Sequence, residues 1–177
     1  MNLQLILQKG YKKEHVDQIV NWVSDNQKNF DALLNIFLYD TDAQVVQRAS
    51  WPLSYAAVNH PQLLKKHWPN IIKLLNQPNH HTAVYRNILR ILDHLPEIPK
   101  VHHGNIMNAC FDFIADPKAA IAVQAFALGV LTKLSVIYPE IKPELTLTVE
   151  TILPNASAAF KSKARKYLNQ KKAALLK

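Results

Sequence analysis

Tyr39-Asp40-Thr41-Asp42-Ala43-Gln44-Val45-Val46-Gln47-Arg48-Ala49 is the stretch whose reading decides the fold. An apolar helical run ends at Tyr39, two aspartates occupy a turn, and a new helix starts at Ala43. Asp42 precedes it as a natural N-cap, since its carboxylate can accept from the free N–H groups of a helix start. The same stretch recurs along the chain. Val46-Gln47-Arg48-Ala49 falls on Val84-Tyr85-Arg86-Asn87 at an offset of 38, on Ala122-Val123-Gln124-Ala125 after 38 more, and on Lys161-Ser162-Lys163-Ala164 after another 39. Pro61, Pro99 and Pro139 keep the beat at 38 and 40, and Pro78, Pro117 and Pro154 at 39 and 37. A period near 38 in a strand-poor sequence predicts stacked helical hairpins, each covering the apolar face its neighbour cannot bury alone.

Working outward, each repeat reads as two antiparallel helices. The first pair is Asn29 to Tyr39, with a stripe of Phe30, Leu33, Leu34, Phe37 and Leu38, and Ala43 to Val58, with Val45, Val46, Ala49, Leu53 and Ala57. Pro52 lies inside the second of these and forfeits one backbone bond. The next repeat opens at Pro61, with Leu64, Trp68, Ile71, Ile72 and Leu75, then a turn over residues 76–79. Its second helix carries Val84, Ile88, Leu89, Ile91, Leu92 and Leu95. The third pair is His103 to Ala115, then Pro117 to about Tyr138; the latter is apolar nearly all round, as a helix covered on two sides should be. The last repeat begins at Pro139. Leu145, Leu147, Val149, Ile152 and Leu153 mark its first helix, although Thr146, Thr148 and Thr151 leave a short strand open. Phe160, Ala164, Tyr167, Leu168 and Leu175 mark the inward side of its second. Residues 14–24, with Val16, Ile19, Val20 and Val23, read as a lone capping helix or half repeat at the amino-terminal end. No long linker appears, so residues 1–177 read as one domain, with 1–28 the amino-terminal cap and 161–177 a basic carboxy-terminal helix.

Composition narrows the function classes. About half of the 177 residues are hydrophobic (49%), enough for a sizeable core. Three glycines disfavour phosphate-cradling loops, and ten prolines suit many sharply ended helices. Cys110, the single cysteine, lies in an apolar helical stretch and reads as a buried thiol in a reducing cytoplasm. Residues 1–8 lack the basic lead and cleavage site of a signal peptide. The longest apolar run, Ala119 to Leu131, is interrupted by Gln124 and too short to span a bilayer. The net charge of +8 is local: residues 1–160 hold 14 Lys/Arg against 13 Asp/Glu, while 161–177 hold seven bases and no acid. That distribution speaks against a domain-wide basic surface.

An apolar helix, an acidic turn, a Val-x-Arg-Ala helix and a closing proline together resemble the HEAT/armadillo-like family, over roughly residues 29–168. The third repeat lacks the arginine, with Val123-Gln124-Ala125 in its place, and the second lacks the turn acid, with Pro78-Asn79. The resemblance implies an all-α, right-handed α-α superhelix, a HEAT-like solenoid of about four helical hairpins. It also implies that Asp40, Asp42 and Asp116 with Arg48 and Arg86 bond between neighbouring repeats. Its motifs specify architecture, not activity.

Catalytic and metal patterns are weak. His80-His81 and His102-His103 are adjacent pairs whose side chains diverge on a helix, and His60 and His67 lie two turns apart. They read as solvated turn or helix-start residues rather than ligands. There is no His-Glu-x-x-His, Gly-x-Ser-x-Gly or Gly-rich nucleotide loop. No cofactor and no metal is expected. The enzymatic rival within the architecture is similarity to alkylpurine DNA glycosylases built from HEAT-like repeats, which implies Trp and Asp near a DNA lesion. Trp22, Trp51 and Trp68 are followed one turn later by Asn26, Tyr55 and Ile72, never by Asp.

The expected function is therefore a non-enzymatic protein-interaction scaffold working through a concave surface lined by the second helices. Arg48, Trp51, Tyr55, Tyr85, Arg86, Arg90, Gln124 and Lys133 are the candidate contacts. Nucleic-acid binding is the alternative; an anionic membrane surface is a weaker fit. Lys161, Lys163, Arg165, Lys166, Lys171 and Lys172 form a basic tail that reads first as the solvated face of a terminal cap and second as a site for an acidic partner.

Overall fold

The computed structural model describes the backbone of residues 1–10 and 12–175, and side-chain surroundings for 1–10 and 12–169. Ten α-helices, and no strand, occur among the described residues: α1 Leu3–Lys9, α2 Lys13–Val23, α3 Gln27–Tyr39, α4 Ala43–Asn59, α5 Trp68–Asn76, α6 Thr82–His94, α7 His103–Ala115, α8 Ile121–Ile137, α9 Lys142–Ile152 and α10 Ala158–Leu175. Short 3-10 turns led by or following proline precede α5, α7 and α9. The chain folds as two compact units, Met1–Glu97 and Ile98–Lys177.

In the first unit α4 is the hub, packing against α1, α2, α3 and α6. Its start is fixed by Asp42, whose carboxylate accepts from the N–H groups of Gln44 and Val45 at 2.8 and 3.4 Å; such a cap contributes about 1 kcal/mol. Asn26 and His81 cap α3 and α6 in the same way. The α4 helix runs through Pro52, which is buried with Val45, Ala49, Leu53, Ala56 and Ala57. The stripes expected on α5 and α6 are buried without exception, from Leu64 through Leu75 and from Val84 through Leu95.

One expectation changes at the amino terminus. Among the described residues a second short helix, α1, precedes α2, and both pack against α4. Gln4 is the polar residue within the apolar stretch Leu3–Leu7. On a helix it falls to the flank of the Leu3/Leu7 seam, both buried, and donates to Asp40 Oδ2 at 2.7 Å.

In the second unit α8 lies between α7 and α10, which explains its nearly uninterrupted apolar sequence. It begins at Ile121, not Pro117: Asp116 Oδ1 accepts from Lys118 N at 2.8 Å and holds residues 116–120 as a turn. Residues 142–152 are helical. Thr148 and Thr151 satisfy their hydroxyls on the carbonyls of Glu144 and Leu147, one turn back, at 2.9 and 2.8 Å. Leu147 corrects the expected stripe. It is 68% exposed, because residues two apart share a face on a strand but not on a helix; Leu145 and Val149, four apart, are the buried pair. Phe160, Ala164 and Tyr167 on α10 are buried as expected, and Leu168 is half-buried. The side chain of Leu175 lies outside the described residues.

Cys110 is a buried free thiol. His103, expected to be solvated at a helix start, is instead 2% exposed. Its Nε2 faces the Ile98 carbonyl at 2.7 Å, which can only accept, so Nε2 carries the proton. Nδ1 accepts from the Tyr138 hydroxyl at 3.0 Å. The solvated reading fails here because both ring nitrogens find partners, one before α7 and one at the end of α8.

A candidate interaction face on α4 and α6

The α4–α6 contact is built on three polar residues that an apolar pattern conceals. Ser50, Ser54 and Asn87 are 1%, 0% and 2% exposed. The Asn87 amide donates to Ser50 Oγ at 2.9 Å and to the Ala83 carbonyl at 2.8 Å, and its oxygen faces Ser54 Oγ at 3.0 Å. Ser50 donates to Gln47 O at 2.6 Å, and Ser54 Oγ lies 2.8 Å from Trp51 O. Every polar group of Asn87 is engaged, so the network fixes the position of α6 along α4. Shape and spacing alone could have flagged it: Asn87 stands at the register occupied by Ala49 and Ala125 in the neighbouring repeats.

Above this seam, Trp51, Tyr55 and Arg90 come together. The Trp51 and Tyr55 rings lie 6.3 Å apart and tilted by 59°. The Arg90 guanidinium carbon sits 4.0 Å from the Tyr55 ring centroid, within cation–π range. Arg90 Nη1 also donates to Ser54 Oγ, weakly, at 3.4 Å. Tyr55 is 38% exposed, while Trp51 and Arg90 are half-buried. Arg86 is half-buried one turn before Arg90 on α6.

Other expected contacts serve the fold. Arg48 Nη1 donates to the carbonyls of Leu7 and Gln8, both at 2.9 Å, at the end of α1; a helix C-terminus carries unsatisfied carbonyls and partial negative charge, which suits a guanidinium. Arg48 and Asp40 thus do bond to the preceding helical pair, as the family resemblance implied, though to α1 rather than to each other. Tyr85 donates to Gln77 O at 2.6 Å and accepts from His80 N at 3.1 Å, pinning the α5–α6 turn. Gln124 donates to Asp116 O at 2.9 Å and closes the α7–α8 turn. Lys133 is half-buried on α8 of the second unit.

On the opposite helices of the first unit, Asp31 of α3 gathers Lys66 Nζ at 2.6 Å, His67 Nε2 at 2.7 Å and Gln27 Nε2 at 2.8 Å. Burial raises the Asp31 pKa, but the hydrogen bonds from Lys66, Gln27 and His67 and the Lys66 charge outweigh it and lower the value to about 2. The cross-repeat bonds of Asp31, Gln4, Arg48, Asn87 and Arg90 all join residues 33 to 41 apart, one repeat in sequence.

In the second unit a cleft of about 490 Å³ opens beside Ile114, Pro117, Ile121, Gln124, Ile152 and Ser157, and no ionisable side chain lines it. The basic helix is packed rather than free. Lys161 donates to Pro154 O at 3.2 Å, and Lys163 Nζ lies 5.1 Å from the Phe126 ring centroid. Arg165 and Lys166 are exposed. The side chains of Lys171 and Lys172 lie outside the described residues.

A family model described as a HEAT repeat domain matches residues 3–171. The chain belongs to the HEAT repeat domain family. No curated protein and no solved structure matches it. The HEAT match takes in α1, which the expected resemblance, beginning near residue 29, left out. Among the described residues of this HEAT protein, no three His, Cys, Asp or Glu side chains are grouped to hold a metal, and no helix is long and apolar enough to cross a membrane. Trp68, one of the three tryptophans weighed against a glycosylase site, is 7% exposed in the core stripe of α5.

Proposed function

We propose that this HEAT repeat protein is a non-enzymatic scaffold that binds a protein partner through the face carried by α4 and α6. The observation that carries this is the Trp51–Tyr55–Arg90 assembly on a seam whose position the Ser50–Asn87–Ser54 network fixes. Trp, Tyr and Arg dominate the energetics of protein interfaces, and a rigid base lowers the ordering cost of binding. Tyr55 and Trp51 supply broad contact area; Arg90 supplies directional donors.

The near balance of charge over residues 1–160 favours a protein over nucleic acid. So does the tail. Phe160, Ala164 and Tyr167 are buried within the second unit, so among the described residues the basic helix turns its apolar side to packing rather than to an anionic membrane. The single cysteine, buried as a thiol, supports a cytoplasmic location. The family match runs through both compact units, which supports reading residues 1–177 as one repeat domain.

A photo-crosslinking residue at position 55 tests the assignment in cell extract. The expected result is a discrete protein adduct that disappears when Trp51→Ala is added. Adducts to nucleic acid alone overturn the proposal.

A further inference from the structure

Resting on the reading that α4 and α6 form the binding face, we infer that the segment bound there is acidic, presenting a carboxylate to Arg90 beside an apolar side chain on Tyr55 and Trp51. Three observations lead to this. First, α4 contains no Asp or Glu in its 17 residues, and α6 contains one, Asp93, near its end and 4.0 Å from His94. Arg48, Arg86 and Arg90 therefore set the sign of these two helices. Second, the arginines are not equivalent. Arg48 Nη1 donates to the carbonyls of both Leu7 and Gln8 at 2.9 Å, which ties this side chain to α1. The Arg90 guanidinium, among the described residues, makes one hydrogen bond, of 3.4 Å to Ser54, and its carbon sits over the Tyr55 ring, 4.0 Å from the centroid. A guanidinium has five N–H donors. The contact with Tyr55 holds the group in place, and the donors beyond the one given to Ser54 suffice for a two-pronged carboxylate bond, which a partly desolvated site strengthens. Third, Tyr55 is 38% exposed and 6.3 Å from Trp51, so an apolar side chain is accommodated next to the charge.

Phosphate is the competing anion, and nucleic acid would bring it with stackable bases. The first unit argues for the peptide. Single-stranded nucleic acid is held by a run of cations tracking its backbone, whereas the Lys and Arg of α4 and α6 are three arginines, one of them bonded to the end of α1.

Fluorescence anisotropy at physiological salt with three labelled probes tests this on the full chain: five repeats of Glu-Glu-Leu, five repeats of Gln-Gln-Leu, and a 15-nucleotide oligo-dT. The acidic peptide is expected to bind about tenfold or more tightly than the neutral one, as loss of a charge-assisted bidentate pair implies. Arg90→Gln should remove that preference, and Arg90→Lys should recover only part of it, because a lysine keeps the charge without the stacked fork. Urea unfolding of both variants controls for folding. Acidic and neutral peptides binding alike, or an acidic preference unchanged in Arg90→Gln, overturns the inference. In that case crosslinking from position 55 still stands or falls independently as the test of the face. Absence of acidic-peptide binding, or oligo-dT binding tighter than the acidic peptide with the same Arg90 dependence, overturns it as well.

Discussion

The Asn87 side chain donates to the Ser50 hydroxyl at 2.9 Å inside the α4–α6 packing, where neither residue is more than 2% exposed. The two serines also bond to carbonyls of their own helix, so Asn87 is the member whose loss is least compensated. Asn87→Ala is expected to cost about 2–3 kcal/mol, combining lost hydrogen bonds with a small cavity. A Ser50→Ala/Asn87→Ala double-mutant cycle in urea should show coupling of about 1 kcal/mol. A single-mutant cost below about 0.5 kcal/mol, the range of ordinary surface changes, would refute the role given to this network.

Arg48 ties α1 to α4 through the Leu7 and Gln8 carbonyls. Arg48→Ala should weaken that attachment by about 1.5–3 kcal/mol, the range for hydrogen bonds to a charged group. Hydrogen exchange is the direct readout. Amides of residues 3–9 should exchange faster while those of α6 remain protected; unchanged exchange in α1 would contradict the assignment.

Asp31 predicts a pH dependence with a definite sign. Its carboxyl is held at about 2 against an ordinary 3.8. Its stabilisation is therefore complete above about pH 4 and disappears as pH falls through about 2. The side chain is 27% exposed, and the contribution after solvent screening is on the order of 1 kcal/mol. Melting temperatures of wild type and Asp31→Asn should differ by a constant amount above pH 4 and converge toward pH 2. A gap that stays constant down to pH 2 would be inconsistent with the Lys66–Asp31–His67 arrangement.

Tyr167 separates packing from polarity in the terminal helix. It is 4% exposed, its hydroxyl lies 3.0 Å from Thr146 Oγ1, and it donates to Lys142 O at 3.3 Å. Tyr167→Phe should cost about 1 kcal/mol and Tyr167→Ala about 3–5 kcal/mol. Deleting residues 161–177 should lower thermal stability at least as much as Tyr167→Ala. An unaltered melting curve after deletion would remove the case for a folded cap.

Much of this was readable in the sequence because stacked hairpins impose two periods at once. The 3.6-residue stripe located Phe30, Leu33, Leu34 and Phe37, and the repeat located Asp42 as a cap. Leu147 stands two residues from both Leu145 and Val149, whereas a helix sorts residues by angle around its axis. His103 needed knowledge of Ile98, before α7, and of Tyr138, at the end of α8. Among the candidate contacts, Trp51, Tyr55 and Arg90 cluster, but Arg48, Tyr85 and Gln124 are engaged with backbone carbonyls. Residue type marks both fates equally; only the reach of each side chain to an unsatisfied carbonyl separates them.

The Ser50–Asn87–Ser54 seam has a consequence for how such a chain can change over time. A helical slip of one turn, about 5.4 Å, would misalign all three groups together, so the seam acts as a key cut for one lock. The corresponding register holds Ala49 in α4 and Ala125 in α8. Copying or swapping whole hairpins within this array would therefore bring that key against a blank, and the repeats, alike in outline, are not interchangeable parts.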